Sequence, residues 1–108
     1  MSDQRTLNIN LDYGSNGDGP KGSALTATYI NYAVSSAYPQ GLEGQQRRIF
    51  GRIQRKLDEA IEQSSESIPL EAAECDFLRK SFECCKVPAG DAKYFVVLED
   101  QIETATKR

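Results

Sequence analysis

Five cationic side chains, Arg47, Arg48, Arg52, Arg55 and Lys56, fall in residues 47–56 with no acid among them. If that stretch is helical, Arg48, Arg52, Arg55 and Lys56 form a stripe roughly opposite Ile49, Ile53 and Ala60. A stripe of guanidinium groups offers forked donors to anions, either the carboxylates of an acidic protein surface or the phosphates of RNA or DNA. The order of charge along the helix is unfavourable by itself. Bases crowd its first half, while Asp58, Glu59, Glu62 and Glu66 crowd its end. The helix dipole prefers the reverse by about 0.3–1 kcal/mol per well-placed terminal charge. Arg55 with Glu59, four residues on, returns only a few tenths of a kcal/mol. The arrangement is tolerated more readily if the face meets something anionic, the bland alternative being a solvated helix surface. Arg48, Arg52, Arg55 and Lys56 are therefore the candidate partner contacts.

The second stretch with chemical potential is YGSNGDGPKGS, residues 13–23. A phosphate-cradling loop needs a lysine directly after its last glycine, but Pro20 stands there and removes a backbone donor as well. A calcium loop needs a closing acid, and after Asp12, Asn16 and Asp18 none follows until Glu43. The stretch reads as a hairpin tip in which glycine supplies positive φ. Asn16, Asp18 and Lys21 are its secondary partner-contact candidates.

Other chemistry is sparse. The chain has no histidine and three cysteines, Cys84 and Cys85 being adjacent. That composition excludes a histidine-based triad or Cys/His zinc site, makes a poor disulfide framework and suits a reducing compartment, with the thiols buried and structural. Glu71 with Glu74, and Glu99 with Asp100 and Glu103, read as solvated helix faces, since nothing in the sequence desolvates one acid against another. Tyr29, Tyr32 and Tyr38 could form a surface aromatic patch but are not interleaved with bases as a base-stacking platform would be. No catalytic residue, metal or cofactor is expected.

The elements that must position these residues follow from periodicity. At 108 residues the chain is expected to form a single domain, residues 1–108. Leu7, Ile9, Leu11 and Tyr13 alternate as a half-buried strand, and Ser23, Ala24 and Leu25 suffice for a return strand. The expectation is a β-hairpin over residues 6–25 with its loop at 14–23. Ile30, Ala33, Val34 and Ala37 then predict a helix over 26–38, with Thr26 as N-cap. Leu42, Ile49, Phe50, Ile53, Leu57, Ala60 and Ile61 predict a long helix over 42–64, ended by a serine-rich cluster. Ile68-Pro69-Leu70 reads as extended. A third helix over 71–86 should bury Ala73, Phe77, Leu78 and Phe82, with Cys75 and Cys85 near its margins. Asp91 should cap a fourth over 91–106, whose stripe is Tyr94, Val97, Leu98, Ile102 and Ala105. The fold class is α+β, mostly α: an N-terminal β-hairpin followed by about four packed helices.

The net charge of −3 is uneven, residues 47–56 carrying +5 and residues 57–108 carrying −6. An acidic chain repels the phosphate backbone at long range, so nucleic acid is a candidate only through the face at residues 47–56. No apolar run approaches the ~20 residues of a membrane span, and the polar N-terminus is unlike a secretory signal, so a cytoplasmic protein without membrane contact is expected. A chain this short could leave an apolar stripe over for a homodimer.

Three short motifs carry a family resemblance: T-x-x-x-x-N-x-A at residues 26–33, L-x-G-x-x-[KR] on Leu42, Gly44 and Arg47, and I-P-L-x-x-x-E at residues 68–74. Together they resemble small accessory proteins of tailed bacteriophages and prophages, mostly without assigned function. The resemblance implies a protein made inside the host cell, with no catalytic residues. The leading functional expectation is a non-enzymatic protein that binds a host or phage protein, modulating a nucleic-acid-handling or defence machine. The alternative is a virion or assembly component that docks through its hairpin and loop by strand addition. A small enzyme is the least supported class, because no nucleophile and base are paired in the sequence.

Overall fold

The computed structural model describes residues 5–11 and 22–106. Leu7, Ile9 and Leu11, spaced by two, all point inward and are buried. The regular part of this segment, β1 (Arg5–Asn8), pairs antiparallel with β2 (Ser67–Leu70), placing Leu7 opposite Ile68 and Arg5 opposite Leu70. Four helices, α1 (Gly22–Ala37), α2 (Gly44–Glu62), α3 (Ala72–Cys84) and α4 (Ala92–Thr106), complete an α+β, mostly α fold.

The strand has a different partner from the one the sequence suggests. Ser23, Ala24 and Leu25 are not a return strand but lie in the first turn of α1. The buried positions of α1, Thr26, Ile30, Ala33 and Val34, keep helical spacing back to Thr26, and the preceding residues are carried into the helix. Ser67-Ile68-Pro69-Leu70 alternates exposed and buried, so it fits the pleat, with Pro69 on the outer side. Beyond Asn8 the contact continues irregularly, Ile9 and Asn10 both donating their N–H to the Glu66 carbonyl at 2.8 and 3.2 Å.

Thr26 is likewise not an N-cap. It lies inside α1, fully buried, and its hydroxyl donates to the Ile9 carbonyl at 2.6 Å. The bond satisfies a buried carbonyl and fixes α1 against the extended N-terminal segment. Gly22, where α1 begins, lies so close to Leu11 that a Cβ would stand 2.4 Å from the Leu11 carbonyl oxygen. Only glycine permits that approach. The loop contacts proposed at Asn16, Asp18 and Lys21 lie outside the described residues.

Helix α2 starts later than expected, at Gly44, because Glu43 and Gln46 form a capping box. It ends in a Schellman turn: Ser64 donates to the Ile61 carbonyl at 3.2 Å and Ser65 to that of Ala60 at 2.7 Å, with Ser64 at φ 58°. Phe50, Ile53, Leu57 and Ala60 form its buried face, whereas Ile61, expected there, is 39% exposed.

Helix α3 is the centre of the molecule, packing on α1, α2 and α4, while α2 covers β2 and α4 covers β1. Cys75, expected near a margin, is in the core, and Ala73, expected in the core, is exposed. The stripe of α3 is rotated from the expected one by the burial of Glu74 and Cys75 on the side facing α2 and β1. Phe77 stacks with Phe50 at 5.9 Å and with Tyr38 at 5.7 Å between ring centroids. Ser36 closes the end of α1 on the segment after α3, accepting from the Lys86 N–H at 3.0 Å and donating to its carbonyl at 3.1 Å. Helix α4 follows a 3-10 turn at Ala89–Asp91. Its main anchor is Phe95, absent from the expected stripe, which is buried against Tyr29, Tyr32 and Phe82. Tyr94 and Val97 are only half-buried. The helices thus bury most of their stripes within the chain. Among the described residues the exposed large apolar side chains are Tyr32, Ile61 and Val96.

Candidate functional site

The outer face of α2 carries Arg48, Arg52 and Arg55 at spacings of four and three, which puts them on one line about 10 Å long. All three are exposed, as is Arg47 on the flank. They stand directly away from Phe50, Ile53 and Leu57, whose burial fixes the rotation of the helix. Among the described residues no carboxylate lies within 4.0 Å of any of these four guanidinium groups. Arg55 does not pair with Glu59, so even the weak compensation available along the helix is not taken. Three exposed cations in a line can hold a row of anionic groups.

Lys56 leaves this group. Its side chain crosses to α3, where the ammonium donates to Glu74 Oε1 at 2.5 Å. The same oxygen accepts the Glu71 N–H at 2.7 Å as part of the capping box of α3. Glu74 is only 2% exposed, so the expectation of a solvated carboxylate fails there. Its other oxygen, Oε2, is buried without a hydrogen-bond partner. Lys56 therefore neutralises an interior charge, and the exposed set contracts to Arg48, Arg52 and Arg55. The sequence holds a faint signal of this: Lys56 lies on the border of the stripe, next to Leu57.

The remaining candidates divide similarly. Burial pushes the Cys75 thiol up, and the Arg5 guanidinium beside it pulls it partly back. Burial and the nearby Glu99 raise Cys85. Both shifts favour the protonated thiol, with Cys75 buried and Cys85 half-buried, whereas Cys84 is exposed rather than buried. Glu99 is also raised, first by burial and then by the charges of Asp100 and Glu103. It lines a cleft of about 280 Å³ between α3 and α4 with Glu83, Asp100, Glu103 and Arg79. This desolvation was not legible in the sequence, because it depends on how α4 lies against Phe82. Among the described residues no group of side chains could hold a metal ion, and no helix is long and apolar enough to cross a membrane.

A second feature borders the arginine line. Between the first half of α2 and the middle of α3 runs a groove of about 280 Å³, floored by Tyr38, Ile49, Ala73 and Phe77. No family model, curated protein or solved structure matches this chain, so the reading of the site rests on its own geometry.

Proposed function

We propose that this protein acts by binding, without catalysis, and that it engages an acidic protein surface through Arg48, Arg52 and Arg55. The observation that carries the reading is the line of three exposed guanidinium groups with no carboxylate within reach among the described residues. Guanidinium groups pair with carboxylates in forked geometry and shed their hydration at lower cost than an ammonium. The net charge of −3 argues against a phosphate backbone as partner, because the long-range field opposes its approach. The motif resemblance adds a setting: an accessory protein of a tailed phage or prophage, made in the host cytoplasm, that modulates a host nucleic-acid-handling or defence machine.

The test is capture by tagged protein from infected and uninfected cells, with proteins and nucleic acids both identified, at low and raised salt. Arg48→Gln, Arg52→Gln and Arg55→Gln combined should abolish capture of the partner while changing unfolding free energy by less than about 0.5 kcal/mol, since the side chains are exposed and make no ion pair among the described residues. Undiminished capture by the folded triple variant refutes the reading. Recovery only of phage structural proteins, insensitive to salt, favours an assembly role instead.

A further inference from the structure

This inference rests on the arginine line being a protein-binding surface, and it adds what the bound segment must contain. Helices α2 and α3 run antiparallel: Lys56 meets Glu74 near one end of the contact, and Phe50 stacks on Phe77 further along. Past that stack, toward the start of α2, the groove opens. Tyr38 and Ile49 are half-buried and Ala73 is exposed, so its apolar floor is reachable from solvent. The groove stays open because Ala73 is small, and Ala73 is the residue whose burial the periodicity predicts and the fold does not supply.

The groove and the arginine line form one surface. Arg48 follows the groove residue Gln45 by three positions, and Arg52 follows Ile49 by three, so each lies one turn along from a groove wall. Across the groove the exposed Lys80 forms part of the α3 wall. The one acid lining it, Asp76, lies 3.7 Å from Arg79 on its own helix. An apolar slot thus lies between cationic side chains on both helices.

We propose that this slot takes one large apolar side chain of an acidic peptide segment, whose flanking carboxylates reach Arg48 and Arg52 on one side and Lys80 on the other. Apolar burial in the slot supplies affinity, and the charges fix register. A nucleic acid could use the arginines but would gain little from the slot. A base would find at most one face of Tyr38 to stack on, since Phe77 is already stacked with both Tyr38 and Phe50.

The experiment pans the full chain against displayed random peptides of about twelve residues, then measures the winners in solution against Ala73→Gln and the triple arginine variant. Ala73→Gln places a long polar side chain in the slot from an exposed helical position, and an unchanged melting curve confirms that it folds. The expected winners carry Asp or Glu around a single Leu, Ile or Phe. They should bind Ala73→Gln about tenfold more weakly, and the triple variant more weakly still. Acidic winners without an apolar residue, or indifferent to Ala73→Gln, overturn the slot and leave the arginine reading standing. Apolar winners that bind the triple variant equally well overturn the arginine reading. No winners, or tighter retention of a single-stranded oligonucleotide at the same salt that the triple variant loses, overturns the acidic-peptide proposal.

Discussion

Replacing Lys56 by methionine removes a charge and keeps most of the apolar stem, so it isolates the ammonium's role. Glu74 is 2% exposed and has two donors on Oε1, the Lys56 ammonium and the Glu71 N–H, with no partner on Oε2. Without Lys56 the carboxylate keeps one backbone N–H and the field of the α3 N-terminus. Breaking a fully buried ion pair from one side costs about 3–5 kcal/mol. The Lys56 side chain is 26% exposed, so water relieves part of that, and the expected loss is about 2–3 kcal/mol. For a domain of this size that lowers the melting temperature by roughly 8–20 °C. Urea unfolding of four proteins measures it: wild type, Lys56→Met, Glu74→Gln and the double variant. Glu74→Gln removes the interior charge but keeps an acceptor for the Glu71 N–H. The double variant should therefore be more stable than Lys56→Met alone, with a coupling of about 1–2 kcal/mol. If Lys56→Met is within about 0.5 kcal/mol of wild type, the pair is an exposed ion pair of little value. Lys56 would then return to the partner surface.

The other predictions are smaller. Ser64→Gly should raise stability by about 0.5–1 kcal/mol in the same urea assay, because Ser64 holds the left-handed position of the Schellman turn and glycine takes it without strain. Glu99→Gln should stabilise by a few tenths of a kcal/mol at neutral pH, by removing a like charge four residues from Glu103. The Glu99 carboxyl is raised in the folded state, so its ionised form is a burden above that titration and none below the unfolded one. The advantage of the glutamine should therefore disappear as the pH falls through the ordinary carboxylate range, as unfolding curves at pH 7 and near pH 4 would show. Iodoacetamide should label Cys84 first, Cys85 slowly and Cys75 only on unfolding, read by mass spectrometry of the digested protein.

What could be read from sequence was whatever depends on local periodicity. The four helices were legible because Ile30, Ala33 and Val34, or Ile53, Leu57 and Ala60, repeat at the helical period, and β1 was legible from the alternation of Leu7 and Ile9. The partner of β1 was not, because pairing it with Ser67–Leu70 spans some sixty residues and local pattern says nothing of it. Thr26 shows the same limit: a threonine near a helix start suggests a cap, and only the approach of Ile9 turns its hydroxyl outward from the helix to a buried carbonyl. The groove was illegible for a related reason. It exists because Ala73 lies beside the buried pair of Glu74 and Cys75, and their burial is decided by Lys56 and β1 rather than by α3.

The four cations of the original stripe thus have two fates, separated by one helical position. Arg52, four residues after Arg48, and Arg55, three after Arg52, stay on the outer line, where water solvates the guanidinium groups until a partner arrives. Lys56 is one residue past Arg55, about 100° further round, and that rotation brings it within reach of α3. The outer arginines should therefore be almost free to change without loss of fold, and Lys56 should not. A charge-removal scan along α2 distinguishes them if it records unfolding free energy and partner binding together. Arg48, Arg52 and Arg55 should move binding alone, whereas Lys56 should move stability, and binding only as far as the fold is lost. If all four move both quantities equally, the structural separation of the two roles is wrong.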